Sequence, residues 1–361
     1  MVILLRSTDG APDSRFEKYV NFLESQLIPY MTLCWDRYNI KTSSKKRLFY
    51  KKGSKYGLRY KNSFGLIGFN WFILCNLIRN RKKYSTIHAA DFDTILPAML
   101  VKLIYGKKVI YDIYDWYIDS RSIHNPILKR LIKLLERINI TKSDVVIICE
   151  EGRRNQIIYK PKKLWILPNI PAVSLRNPEK ISDKRLTISY VGILGAGRGL
   201  NNLIRLAYEK PNIDFIIGGF GTLENDFIKA GELPNVDFKG RVSYEEALNI
   251  MWNSDIIYAM YERINPNHIL AAPNKYYEGL ALGRPIITTT DTLVGDKVKE
   301  FNTGFCIDEK FESLLRLIND FNHEDLKIKS INAAILWENK YKNYIKDFMT
   351  NQYKPFLSHY K

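Results

Sequence analysis

The stretch PNKYYEGLALGRPIITTTD, residues 273 to 291, places Lys275 and Glu278 just ahead of a glycine stop and a β-branched run. Tyr276, Leu280 and Ala281 share one helical face, Gly283 suits a left-handed stop, and Pro285 cannot continue the helix. The segment therefore reads as a helix, a tight turn and a buried strand, which is one step of a doubly wound sheet. Ligands in such sheets bind at the carboxyl ends of strands against helix N-termini, so the charged pair is placed to face a ligand. An exposed ion pair of little energetic weight is the alternative.

A second stretch with chemical content is SYVGILGAGRGLNNLIRLA, residues 189 to 207. It reads as a strand, a glycine-rich turn and a helix, the arrangement that turns backbone N–H groups and a positive dipole end toward phosphate. Gly192, Gly195, Gly197 and Gly199 let the backbone come close, and Arg198 can add a charge-assisted bond to a phosphate oxygen. The spacing is not the dinucleotide fingerprint, and no G-x-x-x-x-G-K-[ST] occurs, which excludes a P-loop nucleotidase.

These two stretches need elements to hold them, and the chain supplies two βα series. The first runs through VILLR, the helix DSRFEKYVNFLESQ, MTLCW, an apolar helix, TIHAAD, TILPAMLVKLIYG, KKVIYDIYD, a basic helix and SDVVIICE. The second opens with LTISYVGIL and closes with DTLVGDKVKEFNTGFCID. The fold class expected is α/β, as two tandem Rossmann-like doubly wound domains facing a central cleft. The chain divides into an N-terminal domain at 1–170, a polar, proline-bearing linker at 171–184, a second domain at 185–335, and a last helix at 336–361 long enough to return to the first domain.

With 361 residues, the chain exceeds what one core usually organises. Residues 1–180 hold 33 Lys and Arg against 15 Asp and Glu, and the remainder holds 22 against 23, so the whole excess behind the net charge of +17 lies in the first half. One domain therefore meets a polyanion, either nucleic acid or an anionic membrane. Two segments favour the membrane. FGLIGFNWFILCNLIRNRKK, at 64–83, is apolar and aromatic and ends in a basic cluster. NPILKRLIKLLERINITK, at 125–142, is a basic amphipathic helix with Ile127, Leu131, Leu134, Leu135 and Ile138 on one face. A core helix and an ordinary surface helix are the respective alternatives.

No run approaches the roughly 20 apolar residues needed to span a bilayer, and MVILLRSTDG reads as a first strand. Cys34, Cys75, Cys149 and Cys306 are scattered without a C-x-x-C pair, which suggests reduced, buried thiols in a cytosolic protein. The five histidines show no metal-ligand spacing, and no metal is expected.

Taken with IIGGFGTLEND, NVDFKGRVSYEEAL and NTGFCI, in that order, the second half resembles the donor domain of glycosyltransferase family 4, a large group of retaining, nucleotide-sugar-dependent enzymes of the GT-B fold. The likeness is closest over 185–310. It extends more loosely through IHAADFDTILPAML, VIYDIYDWY, VVIICEEG and ILPNIP to AAILWE.

The resemblance implies that Glu278 binds the ribose of the nucleotide as the second glutamate of an E-x7-E motif. Arg198 and the glycines, with Gly219, would hold the diphosphate, and Asn274 and Lys275, from the PNK variant of the motif, would contact phosphate or donor sugar. Backbone near Arg241 and Val242 would lie against the base. The position of the first motif glutamate holds Leu270, so Asn265, Asn267 or His268 would take its part. Ile193 stands where relatives often have arginine. In the first domain Tyr114 occupies a position often held by histidine, and Asp112, Asp115 and His88 are further candidates for catalysis. Arg15 is a candidate for acceptor or donor phosphate.

The resemblance thus implies hexosyltransferase-like transfer from a UDP-sugar, or less readily a GDP-sugar, to a lipid-linked or polysaccharide acceptor, in making a cell-surface glycan such as lipopolysaccharide or capsule. No bound cofactor and no nucleic acid would be needed. The expected location is cytoplasmic, peripheral to the inner face of the plasma membrane. The competing readings are a GT-B relative with other chemistry, such as a nucleotide-sugar 2-epimerase or a phosphorylase, and a non-catalytic basic scaffold.

Overall fold

The computed structural model describes residues 1–8, 14–53, 59–121, 123, 125–171, 185–264 and 266–358. These form two compact units, one of Met1–Pro168 with Lys346–Lys361 and one of Asn169–Ile345. Apart from Pro171, the linker expected at 171–184 lies outside the described residues.

In the first unit the order is β1 (Val2–Arg6), α1 (Ser14–Ser25), β2 (Tyr30–Asp36), β3 (Arg47–Lys51), α2 (Arg59–Arg79), β4 (Thr86–Ala90), α3 (Phe92–Tyr105), β5 (Lys108–Ile113), α4 (Tyr117–Arg121), α5 (Pro126–Lys142), β6 (Val145–Ile148) and β7 (Leu164–Ile166). Its seven strands are all parallel, in the order β3-β2-β1-β4-β5-β6-β7. Strand order reverses between β1 and β4, where such sheets open to ligands. The short runs TIHAA and VVII are buried along their whole length, as central parallel strands covered on both faces must be. Helix α3 stops at Gly106, whose left-handed backbone lets its amide reach the Lys102 carbonyl. Helix α5 starts where Asn125 accepts the amides of Ile127 and Leu128, with Pro126 in the first turn.

The second unit contains β8 (Thr187–Ile193), α6 (Leu200–Glu209), β9 (Asp214–Phe220), α7 (Glu224–Ala230), β10 (Val236–Phe238), α8 (Tyr244–Trp252), β11 (Ile256–Tyr258), α9 (Pro266–Ile269), α10 (Asn274–Leu282), β12 (Ile286–Thr289), α11 (Leu293–Phe301), β13 (Gly304–Ile307), α12 (Phe311–Asn319) and α13 (His323–Leu336). Its six parallel strands run β10-β9-β8-β11-β12-β13, reversing between β8 and β11. The expected two-domain α/β fold is thus present, each unit with its own apolar core.

Beyond α13 the chain stays helical through π-helical turns at Trp337–Tyr341 and Met349–Tyr353, with α14 (Tyr344–Phe348) between them and α15 (Lys354–Ser358) after. Trp337 and Tyr341 belong to the core of the second unit, whereas residues 346–361 pack into the first. Phe348 and Phe356 meet Trp165 edge-on at 5.5 and 5.6 Å between ring centroids, and Tyr353 is fully buried against Tyr19.

Two details correct the sequence reading, and a third bears on its amphipathic helix. RLFYK forms the edge strand β3, which the sequence did not signal. Cys75 is exposed on α2, unlike buried Cys34 and Cys149. On α5 the buried residues are Ile132, Asn139 and Ile140, so Ile127, Leu131, Leu134 and Ile138 face outward. Among the described residues no helix is long and apolar enough to cross a membrane.

Candidate functional site

In the second unit, the glycine turn connects β8 to α6 at the reversal of strand order. Gly192, Gly197 and Gly199 have φ of 149°, 80° and 63°. The room they leave is used. A β-carbon at Gly192 would stand 2.9 Å from the Lys275 Nζ, and one at Gly197 would stand 2.8 Å from the His268 ring. The end of β9 approaches as closely, since a β-carbon on Gly219 would meet the Gly192 carbonyl oxygen at 2.0 Å. Gly199 caps α6, its amide 3.3 Å from a Glu262 carboxylate oxygen and its carbonyl accepting from Tyr258 at 2.8 Å.

Helix α10 delivers the charged pair to this turn. Lys275 and Glu278 are 8% and 6% exposed, so the solvated ion pair is excluded. The Lys275 ammonium lies 4.5 Å from the Tyr190 ring centroid, and among the described residues it forms no ion pair. Burial, then the neighbouring Arg198 charge, lower its pKa to about 7 against the pull of Glu278. Arg198 in turn lies 5.6 Å from the Tyr261 ring centroid and beside the Tyr190 and Tyr261 hydroxyls. Glu278 meets the hydroxyl of Tyr244, at the start of α8, which burial and that carboxylate push well up. The turn, half-buried Arg198 and buried Lys275 form a concentration of positive charge at a helix N-terminus, with a carboxylate one helical turn away.

Other expected donor residues surround it. The Arg241 guanidinium stacks 3.8 Å from the Phe220 ring centroid, and Val242 packs where a β-carbon on Gly218 would reach it at 3.0 Å. Asn274 opens α10, and Gly195 lies within the turn. His268, expected to take the part of the missing motif glutamate, lies against Gly197 with Nδ1 3.1 Å from the Glu262 carbonyl, within this cluster. Asn265 lies outside the described residues. Sequence reasoning missed Tyr190, in the middle of β8, Tyr244, at the start of α8, and Glu262, in the loop after β11, none of which lies in a recognisable motif.

In the first unit the candidates fall into two groups. Asp112 is fully buried at the end of β5, where it accepts from Arg15 Nη2 at 2.6 Å and from Tyr19 Oη at 2.8 Å, with His88 Nε2 at 3.4 Å. His88 Nδ1 meets the Tyr353 hydroxyl at 3.0 Å, and Arg15 also donates to the Leu167 carbonyl at 2.6 Å. Burial alone would raise the Asp112 carboxyl, but Arg15 and His88 outweigh it and hold it down at about 2. Arg15, expected to meet a phosphate, is instead committed to this network, and Asp112 and His88 are supports with 0% and 2% exposure.

The second group lies along the β1/β4 reversal. Arg6 pairs with Asp91 and lies 4.0 Å from the centroid of the Tyr114 ring, which Arg15 approaches at 4.8 Å. Asp93 accepts from Ser7 at 3.1 Å and from Arg121 at 2.7 Å. Asp115 alone among the catalytic candidates presents an exposed carboxylate, 55% accessible. Asp91 and Asp93 went unremarked in the sequence, although Asp91 directly follows buried β4 and Asp93 lies in the first turn of α3.

Residues 174–337 match the family model described as Glycosyl transferases group 1. No curated protein matches the sequence. Among solved structures, sucrose-phosphate synthase (tll1590) from Thermosynechococcus elongatus is 14% identical with a TM-score of 0.70 over 99% of both chains. Anabaena Alr3699/HepE in complex with UDP and glucose is 13% identical, with a TM-score of 0.69 over 98% of this chain and 100% of that one. WaaG, a glycosyltransferase involved in lipopolysaccharide biosynthesis, is 12% identical, with a TM-score of 0.69 over the whole of both chains.

Proposed function

We propose that the protein is a glycosyltransferase that moves a sugar from a UDP-sugar to a lipid-linked or polysaccharide acceptor with retention of configuration. The match to the group 1 model and the shared GT-B fold support transferase chemistry, and HepE, a protein of this fold, is known bound to UDP and to UDP-glucose. The observation that carries the reading is the buried Lys275 ammonium beside Arg198 and the α6 N-terminus. Two close cations destabilise each other in a low-dielectric site, and a diphosphate relieves both.

In this scheme the anomeric C–O bond breaks toward the diphosphate, and negative charge grows on the departing oxygen. Arg198, Lys275 and the turn amides are fixed in place beforehand, so they stabilise that charge without reorganising. Glu278 accepts from the ribose hydroxyls, Arg241 and Val242 border the base, and Asn274 and His268 lie near the donor sugar. The acceptor hydroxyl attacks from the face the diphosphate leaves and gives its proton to a diphosphate oxygen, so no enzyme nucleophile is required. The first unit holds the acceptor.

The same reading places the protein at an anionic membrane surface, where a lipid-linked acceptor resides. Helix α3 packs against both α2 and α5. Trp71 of α2, Leu103 of α3 and Leu131 of α5 are exposed on the three, at 67, 71 and 52%. Apolar side chains left in water and interleaved with the basic residues of α5 fit a headgroup interface.

The test is a thermal-shift screen of UDP-, GDP-, ADP- and CMP-sugars against wild type and Glu278→Ala. A donor at a hundredfold excess over Kd stabilises the fold by about 2.7 kcal/mol. We expect UDP-sugars to shift the wild type and the variant to lose most of that shift. Absence of any shift from all four classes would remove the donor reading.

A further inference from the structure

Two residues that no motif marked hold the turn that follows β5. Asp91 accepts the Tyr114 amide at 2.8 Å and the Asp115 amide at 3.4 Å through the same oxygen, while its other oxygen pairs with Arg6. From the opposite side, Arg153 donates Nη1 to the Tyr114 carbonyl at 3.0 Å and brings Nη2 within 3.5 Å of the Asp115 carboxylate. Both peptide groups of the turn are thus bound by side chains. Arg153 is itself 3% exposed, so its guanidinium is anchored rather than solvated.

Asp91 reaches the turn from an unfavourable backbone conformation. Its φ is 66° and ψ 167°, a region that side chains other than glycine rarely adopt, and its own amide donates to the Asp112 carbonyl at 2.8 Å. Strain of this kind persists where the surroundings over-determine it, and here they do, because this geometry aims the carboxylate at two amides and Arg6 together. The burial has an electrostatic effect as well. Desolvation raises the Asp91 carboxyl to about 6 despite Arg6, and Asp115 adds to the rise.

We propose that Asp91 and Arg153 are positioning residues that clamp the 114–115 turn, so that the Asp115 carboxylate projects from the carboxyl edge of the first unit's sheet as the group that meets the reacting sugars. This rests on the glycosyl-transfer reading above. It also selects among the first-unit candidates, because Asp112 and His88 are enclosed while Asp115 is open and oriented. The clamp acts through Asp115 and needs no contact of its own with a ligand.

Asp91→Gly is the informative variant. Glycine relieves the backbone strain, so a residue kept only for its conformation would be replaced without loss. Hydrogen exchange of the peptide covering 112–117 reads the clamp directly. The Tyr114 amide is expected to exchange at least tenfold faster in Asp91→Gly and to stay protected in Asp91→Asn, whose side-chain oxygen still accepts it. UDP release from UDP-glucose reads the consequence. We expect kcat to fall by about tenfold or more in Asp91→Gly and in Asp115→Ala, with KM for UDP-glucose changed less than about twofold, as for a misplaced reacting group. Unchanged exchange in a folded Asp91→Gly protein overturns the clamp. Faster exchange with unchanged kcat overturns its role in the reaction. The thermal-shift screen above tests the donor reading separately, and the exchange measurement decides the clamp whatever its outcome.

Discussion

Lys275 illustrates how a single buried group links structure to a measurable proton. Its folded pKa of about 7 lies below the ordinary value of 10.5. Between those values the unfolded chain carries a proton that the folded chain lacks, so this residue makes stability rise with pH across that window, and its full penalty is present below pH 7. A diphosphate bound at Lys275 favours the ammonium and reverses the deficit. Titration calorimetry with UDP at pH 8, in buffers of different ionisation enthalpy, should therefore show uptake of about one proton in wild type and none in Lys275→Met. Heats that do not depend on the buffer would show that the diphosphate sits elsewhere. The placement of Lys275, Glu278 and Arg198 could be read from the chain because each lies in a turn or helix start defined by its immediate neighbours. Arg15 and His88 could not. Their decisive partners are 97 and 265 residues away, and local spacing carries no trace of such pairs.

At the scale of elements, α5 shows what periodicity reveals and what it leaves open. The stripe of Ile127, Leu131, Leu134 and Ile138 follows helical spacing, but a helix with apolar residues on two sides does not say which side the sheet takes. Here Ile132 and Ile140, eight residues apart, face the core and the longer stripe faces out. Leu131→Glu with Leu134→Glu should consequently leave the melting temperature within a degree or two of wild type, since surface changes away from packed features are usually within about 0.5 kcal/mol. The same pair should abolish flotation with anionic vesicles. Neutralising Lys129, Arg130, Lys133 and Arg137 removes about 1 kcal/mol of surface attraction each, a loss on the order of 10³-fold in partition. Equal flotation of wild type and both variants, or equal binding to neutral and anionic vesicles, would remove the membrane reading. Strand β3 was illegible for a related reason, because five residues set among lysines at a sheet edge carry neither an apolar run nor alternation.

For the whole molecule, the separation into two units with their own cores implies that binding and stability can be assigned unit by unit. The charge asymmetry was visible by counting, whereas the attachment of 346–361 to the first unit is a tertiary fact carried by a few aromatic contacts. Tyr353 is 0% exposed, packs against Tyr19 at 5.1 Å and meets His88, so the last segment closes the network around Asp112. Removing the Tyr353 hydroxyl with Tyr353→Phe leaves His88 Nδ1 buried without that partner, at a cost of about 1–3 kcal/mol. Tyr353→Ala adds a cavity and should cost about 3–5 kcal/mol. Asp112 gives the loss a pH signature. Its carboxyl is held at about 2 against an ordinary 3.8, so its contribution is present above pH 4 and disappears as pH falls through 2. Differential scanning calorimetry at pH 7 should accordingly resolve two transitions. UDP is expected to raise only the one belonging to the second unit, while Tyr353→Ala lowers only the other. A single transition that moves with both perturbations would mean that the units unfold as one cooperative body, and that the C-terminal segment couples donor binding to the network around Asp112.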